Sequence, residues 1–120
     1  MRVGIIGSRR RNEHSDEILI EKELLKLIEK NKDIEIVSGG CKTGGDKFAE
    51  NLAKKYNLKI TLYLADWKKY GKAAGFIRND DIAKNSDILI ACVADDRKGG
   101  TEDTIRKFEK LNLIDMVIII

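Results

Sequence analysis

A short apolar run, Ile36-Val37, leads into Ser38 and a glycine-rich loop, and a helical pattern opens at Lys47. Glycine is used where the backbone turns with positive φ or approaches another group with no Cβ in the way. In a loop between a strand and a helix, the amides point at one spot, and the helix N-terminus adds roughly half a positive charge there. This stretch therefore predicts a strand, a tight loop and a helix, with a loop that suits an anion.

Strands and helices alternate in the same way along the whole chain. Continuous apolar runs predict buried strands at Val3 to Ile6, Ile34 to Val37, Asp87 to Val93 and Asp115 to Ile120. Strict alternation over Leu58 to Leu64 predicts a half-covered edge strand. Helical spacing predicts a first helix with Ser15 as N-cap, a second that opens at Lys47 behind Asp46, a third from about Ala73 to Asn85 and a fourth capped by Thr101. Asp66 to Lys72 is predicted to be a polar loop. The first helix is expected to end near Asn31 and to bury Ile18, Leu24, Leu25 and Ile28.

This order predicts an α/β protein with a three-layer Rossmann-like fold, formed by a five-stranded parallel sheet in the order 3-2-1-4-5 with helices on both faces. A length of 120 residues fits one domain, residues 1–120. The apolar fifth strand would then lie at an edge. A homodimer contact over Val117 to Ile120 would cover it.

Composition excludes several classes of protein. The 23 basic and 20 acidic residues give a net charge of +3, which is too balanced to indicate nucleic acid by itself. Cys41, Cys92 and His14 cannot form a zinc site, so no metal or cofactor is expected. No apolar run approaches the ~20 residues of a membrane span. The N-terminus has no signal-peptide pattern, so we expect a cytoplasmic location and no membrane contact.

Glycine is concentrated where the predicted strands end. Of the 10 glycines, those at strand C-termini are Gly7, Gly39, Gly40, Gly44, Gly45, Gly99 and Gly100. In sheets of this order, ligands bind beyond the carboxyl ends of the strands, at the switch between strands one and four. Neither the dinucleotide fingerprint nor the P-loop motif is present. Three loops are nevertheless predicted to meet at one rim, around a phosphate.

Three motifs together point to a known family. Gly7-Ser8-Arg9 follows the first strand, and Ser38-Gly39-Gly40 follows the second with Gly44, Asp46 and Ala49 behind it. Asp66-Trp67 is followed by Tyr70-Gly71-Lys72-Ala73-Ala74-Gly75 and Arg78-Asn79. From Val3 to about Ile105 the chain resembles the YspA-like family of the SLOG superfamily, which is related to the SMF/DprA and LOG proteins. The resemblance implies a Rossmann-like domain that binds a nucleotide or nucleotide derivative as a sensor or processor.

The chain departs from the LOG enzymes at one motif. Those enzymes carry PGGxGTxxE, and here Gly99-Gly100-Thr101 is followed by Thr104 at the glutamate position. The remaining catalytic candidates are Glu102 and Asp46, and Asp103 is a further carboxylate that could face the pocket. Each could equally favour a helix dipole, so enzymatic activity stays open.

The residues that we expect to bind the ligand are drawn from the three loops and from the Trp-to-Asn motif: Gly7, Ser8, Arg9, Ser38, Gly39, Gly40, Gly44, Asp46, Trp67, Lys72, Arg78, Asn79, Gly99, Gly100 and Thr101. Alternatives remain for some of them. Arg9 could belong to a solvated turn with Arg10 and Arg11, and Asp46 could fix its loop. Trp67 could stack on a base or could anchor an interface. Arg78 could face the pocket or could pair with Asp81 or Glu102.

Three functions fit these residues. The first is a binding domain for a small-molecule ligand that contains phosphate, such as a nucleotide or an ADP-ribose-like compound. The second is a phosphoribohydrolase or N-glycosidase that acts on nucleoside monophosphates. The third is single-stranded DNA binding along a basic track, which the balanced charge disfavours: Arg9, Arg10, Arg11, Lys42, Lys68, Lys69 and Lys72.

Overall fold

The computed structural model describes residues 1–111 and 116–120, and its centre is a five-stranded parallel sheet in the order β3-β2-β1-β4-β5. The strands are β1 (Arg2–Gly7), β2 (Glu35–Ser38), β3 (Lys59–Leu62), β4 (Ile88–Cys92) and β5 (Val117–Ile119). The predicted fold class and strand order are confirmed. The sheet reverses its direction of winding between β1 and β4, which pair in parallel from Val3 with Ile88 to Gly7 with Cys92.

Helices cover both faces of this sheet. They are α1 (His14–Lys30), α2 (Gly45–Lys55), α3 (Trp67–Tyr70), α4 (Ala74–Lys84) and α5 (Gly100–Glu109), with a 3₁₀ turn over Gly71–Ala73. Since side chains alternate along a strand, each central strand supplies both layers. Val3 and Ile5 of β1 pack in a cluster with α1 and α2, whereas Ile6 packs in a second cluster with α4 and α5.

The structure tests the predictions made for three individual strands. All five residues of β4 are buried, as expected for a central strand. Lys59 and Thr61 of β3 are exposed, as expected for an edge strand. The fifth strand was predicted from Asp115, which lies outside the described residues. Its described part begins at Val117 and forms the opposite edge, where the side chain of Ile119 is exposed.

Several predicted helix starts are wrong. The N-cap of α1 is Glu13 rather than Ser15, because the carboxylate of Asp16 accepts a hydrogen bond from the Glu13 amide at 3.1 Å. The N-cap of α5 is Gly99 rather than Thr101, which lies inside the first turn. The segment predicted as a polar loop forms α3, since the Asp66 carboxylate accepts from the Lys69 amide at 3.1 Å.

The buried face of α1 also differs from the prediction. Ile20 and Leu24 are fully buried, whereas Ile18 and Leu25 are exposed. Ile20, Leu24, Leu27 and Ile28 share one face of the helix, and that face packs against the core cluster. Ile18 and Leu25 lie on another face. In residues 1–111 and 116–120, no helix has the length and apolar character needed to cross a bilayer.

Candidate functional site

A cavity of about 320 Å³ opens at the carboxyl ends of β1 and β4, at the switch in strand order. This volume lies within the range of about 300 to 1,000 Å³ that is usual for small-molecule sites. The predicted site residues that line it are Gly7, Ser8, Arg9, Asp46, Arg78, Asn79, Gly99, Gly100 and Thr101. The fold therefore brings the three loops and α4 together at one place.

Two amides of the loop after β1, those of Ser8 and Arg10, are bonded within the protein. The Ser8 amide donates to the Cys92 carbonyl at 2.9 Å and so continues the β1 ladder, which removes it from the expected set of phosphate donors. The Ser8 hydroxyl accepts from the Arg10 amide at 3.2 Å. Arg9 is exposed at the cavity and, in the part of the chain that the structure describes, forms no ion pair.

Arg11 does not belong to the solvated turn that the sequence suggested. Its guanidinium lies 2.9 Å from the Asp16 carboxylate and donates to the carbonyls of Val93 and Ile120. These contacts tie the loop after β1 to the ends of β4 and β5. Arg11 therefore has a structural role. Of the three consecutive arginines, Arg9 and Arg10 line the cavity.

The polar groups of β2's last residue and of the loop after β2 bond mainly to other groups of the protein. Ser38 is fully buried, and its hydroxyl lies within hydrogen-bond distance of the Ile5 carbonyl (2.6 Å) and of Asp46 Oδ1 (3.0 Å). The other Asp46 oxygen accepts from the Cys41 amide at 3.1 Å. The Gly44 amide donates to the side chain of Asn12 at 2.8 Å. Asp46 thus fixes this loop, one of the alternatives that the sequence left open.

Arg78 and Asn79 on α4 connect the two glycine loops. Arg78 donates to the Gly39 carbonyl at 3.0 Å and to the side-chain oxygen of Asn79 at 3.0 Å. Asn79 is buried and donates to the Gly100 carbonyl at 3.3 Å and to Asp103 at 3.1 Å. Arg78 makes no ion pair with Asp81 or Glu102, so the surface salt bridge considered from the sequence is absent from the described residues.

The N-terminus of α5 faces the cavity with open backbone. Gly99 has a φ of 116° and no side chain to cap the helix, and the first intrahelical bond is donated by the Asp103 amide to the Gly99 carbonyl. The amides of Gly100 and Thr101 precede that bond, so the helix leaves them without a backbone acceptor. Because Gly99, Gly100 and Thr101 line the cavity, this end of the helix suits an anion.

The carboxylates at the start of α5 are engaged in ion pairs. Arg97 donates two bonds to Glu102, at 2.8 and 2.9 Å, and Glu102 does not line the cavity. Burial acts to raise the pKa of Asp103, yet hydrogen bonds from Lys107 and Asn79 hold that pKa below its ordinary value. Asp46 is the carboxylate that lines the cavity among the described residues.

Several predicted site residues lie away from the cavity lining: Ser38, Gly39, Gly40, Gly44, Trp67 and Lys72. The first four belong to the loop after β2 and shape it. Trp67 is 58% exposed on α3, and its ring end lies against Gly75 at the start of α4. Leu64, Tyr70 and Phe76, which lie within ten residues of Trp67 in the sequence, are also exposed.

Other lining residues were not selected from the sequence. Arg10 and Lys98 add positive charge, Cys41 adds a thiol, and Ile6, Ile82 and Thr104 complete the wall. Lys98 lies directly before Gly99-Gly100, and this position next to a glycine loop was the available signal. Arg10 was set aside as part of a basic run. In the described residues, no group of three His, Cys, Asp or Glu side chains could hold a metal ion.

Comparison with protein-family models identifies a family for this chain. Residues 1–70 match the model of the YAcAr family, described as the YspA, cpYpsA-related SLOG family. The chain belongs to this family. Neither the curated proteins nor the solved structures contain a significant match.

Membership of the YAcAr family suggests a role in binding or processing a nucleotide-related ligand. The matched residues contain the loops after β1 and β2, including Gly7-Ser8-Arg9 and Ser38-Gly39-Gly40. The rest of the cavity, from Arg78-Asn79 to Gly99-Gly100-Thr101, lies beyond residue 70. Its assignment therefore depends on the geometry of the site.

Proposed function

We propose that this chain is a binding domain, acting as sensor or processor, for a nucleotide or nucleotide derivative whose phosphate lies in the cavity between β1 and β4. The observation that carries the proposal is the charge of the lining. Arg9, Arg10, Arg78 and Lys98 line the same cavity as the open N-terminus of α5, against one lining carboxylate, Asp46, among the described residues. Such an arrangement favours a phosphate group, since guanidinium and backbone donors match its oxygens.

The remaining lining supports a ligand larger than phosphate alone. The cavity of about 320 Å³ is larger than a phosphate group, and the almost fully buried Ile6 and Ile82 give part of its wall an apolar character. Asn79 Nδ2 and the Thr104 hydroxyl already donate to the Gly100 carbonyl, which keeps the start of α5 in place. An ADP-ribose-like compound or a nucleoside phosphate combines the anionic and apolar parts that this cavity would accept.

Binding is favoured over hydrolysis by the state of the carboxylates. A phosphoribohydrolase needs a carboxylate that is available to an oxocarbenium-like centre. Glu102 is bound by Arg97, and both oxygens of Asp46 contact protein donors. Hydrolysis remains a prediction that release of free base from nucleoside monophosphates would test. Asp46→Asn should abolish that release if Asp46 takes part.

The other predictions from the sequence keep their status. Single-stranded DNA binding has less support because Arg11, one member of the proposed basic track, is held by Asp16 and by backbone carbonyls. A homodimer through β5 and a cytoplasmic location stay predictions. Salt-sensitive retention of an oligonucleotide and the molar mass in solution would test the first two.

The direct experiment is a binding titration with adenosine monophosphate, adenosine diphosphate and ADP-ribose. Arg9→Gln and Lys98→Gln each remove one cation from the lining, and each should weaken binding about tenfold, because a hydrogen bond to a charged group contributes about 1.5 kcal/mol. Lys22→Gln is the matched control, since Lys22 is exposed on α1 and does not line the cavity. Equal affinities in all three variants would contradict the proposal.

A chemical probe inside the cavity gives a second test. Cys41 is partly exposed in the lining, while Cys92 is fully buried, with its pKa raised by burial to about 11. Iodoacetamide should therefore alkylate Cys41 and spare Cys92 in the folded protein. Bound nucleotide should slow the alkylation of Cys41. A rate that does not respond to any nucleotide would place binding elsewhere.

A further inference from the structure

Two loops that flank the cavity are joined by one ion pair. Arg10 Nη1 and Nη2 donate to the two oxygens of Asp96 at 2.7 Å each, and Nη2 also donates to the Lys98 carbonyl at 3.1 Å. Arg10 and Lys98 line the cavity. A guanidinium that binds a carboxylate in this two-pronged way could bind a phosphate with the same atoms. Asp96 therefore binds the guanidinium that the phosphate of the proposed ligand would bind.

The pair is open to solvent, and Asp96 also accepts a hydrogen bond from the Lys98 amide at 3.1 Å, a bond that an asparagine oxygen can accept as well. The side chains of Arg10 and Asp96 are 56% and 45% exposed. Exposed ion pairs contribute little to stability, so this one can exchange partners at low cost. The loop after β4 has its own anchors: Arg97 binds Glu102 at 2.8 Å, and the Arg97 amide donates to the Ala94 carbonyl at 3.0 Å.

The charge around the pair sets the kind of anion that could replace Asp96. Among the described residues, Arg9, Arg78 and Lys98 have no carboxylate within 4.0 Å of their charged ends, so their charge is not compensated by direct contact. A phosphodiester has one negative charge, as Asp96 has, and gains little from the exchange. A phosphomonoester has about two negative charges and a diphosphate two or more, so both gain more.

We propose that Asp96 is a resident counter-anion that holds Arg10 at the cavity mouth until a doubly charged phosphate group takes its place. The inference rests on the proposed function and narrows the ligand to a phosphomonoester or a diphosphate. Arg10 then contributes to the binding of such ligands, and Asp96 lowers their affinity by competing for it. The hydrogen bonds from Arg10 also lower the pKa of Asp96, so the competing carboxylate stays charged at neutral pH.

The test uses five proteins and three probes. The proteins are the wild type, Asp96→Asn, Arg10→Gln and the double variant, and Asp95→Asn is the matched control. Asp95 is exposed in the same loop and its loss changes the charge equally, but it makes no hydrogen bond to Arg10. The probes are inorganic pyrophosphate, adenosine monophosphate and cyclic adenosine monophosphate, titrated by calorimetry at fixed salt. Circular dichroism confirms that each variant is folded.

Asp96→Asn should bind pyrophosphate and adenosine monophosphate roughly threefold to tenfold more tightly than the wild type, because Arg10 is released. Asp95→Asn should change either affinity less than about twofold, since Asp95 affects the ligand only through its long-range electrostatic field. In the Arg10→Gln background, Asp96→Asn should have no larger effect than Asp95→Asn has. Arg10→Gln alone should weaken adenosine monophosphate more than it weakens the cyclic ester.

The outcomes separate this inference from the proposed function. If nucleotides bind and Asp96→Asn leaves their affinity unchanged, the exchange is overturned and the proposed function is left intact. The same holds if Asp96→Asn raises the affinity by the same factor in the wild type and in the Arg10→Gln background. Pyrophosphate binding that depends on Asp96 with no binding of nucleotides overturns the function and keeps the exchange. Failure of every protein to bind any of the three probes overturns both.

Discussion

Two loops of this chain contain glycine pairs, and the structure uses them in opposite ways. Gly44 and Gly45, after β2, are buried, whereas Gly99 and Gly100, after β4, are exposed. A Cβ at Gly45 would collide with the backbone of Gly7 and Ile6, but a Cβ at Gly99 would meet nothing within 4 Å. The first pair permits close packing of α2 on β1, and the second leaves backbone open to the cavity. Similar glycine signals therefore have different physical causes.

The largest expected difference between the loops is in stability. Gly45→Ala should lower the free energy of unfolding by about 3 kcal/mol or more, because the new methyl group has to displace backbone. Gly100→Ala should change it by less than about 1 kcal/mol, since its Cβ would lie 3.8 Å from Asn79 Nδ2, an ordinary contact. Urea unfolding of the two variants measures both. Similar losses would mean that the glycine pairs do not differ.

Removal of a polar group should also cost more stability in the loop after β2 than at the start of α5, but the difference should be smaller than for the glycine variants. Asp46→Ala removes the acceptor for the Cys41 amide and a partner of the Ser38 hydroxyl, so it should cost about 2 kcal/mol of unfolding free energy. Thr101→Val removes a hydroxyl from the start of α5 and should cost less than about 0.5 kcal/mol. Equal midpoints of urea unfolding would show that the loop after β2 is not held by Asp46.

The pH dependence of stability should reveal the contribution of Asp103, the carboxylate on α5 that follows the loop after β4. The pKa of Asp103 is lowered in the folded state, so its ionised form stabilises the protein above the ordinary value of 3.8, and this contribution is lost as the pH falls below that value. Asp103→Asn should remove about 1 kcal/mol at neutral pH and flatten the acid limb. Asp80→Asn, on the exposed side of α4, is the control. A wild-type acid limb in Asp103→Asn would contradict this assignment.

Periodicity and glycine placement were sufficient to predict the fold and the meeting of the three loops. The strand order follows from one alternating edge strand and one fully apolar central strand, which the structure places as expected. Asp46 and Arg78 could also be selected, because a helix-start acid and a family motif mark their positions. These features are local, so the sequence displays them directly.

Contacts between distant loops could not be predicted in the same way. Arg10 meets Asp96 across 86 residues of chain, and Arg11 meets the Ile120 carbonyl across 109. Nothing in a run of three arginines tells which one is exposed and which one is tied to the sheet. The role of the Ser8 amide also depends on the β1–β4 register, since it continues that ladder instead of facing a ligand.

The most direct measurement is a titration of the ¹⁵N-labelled protein with adenosine diphosphate, followed by amide chemical shifts. The account predicts that the amides of Gly100 and Thr101 shift first and most, because they form the open end of α5 at the cavity. The Gly44 amide, which is bonded to Asn12, should shift little. Shifts confined to the loop after β2, or to Trp67 and the other residues of α3, would contradict the account.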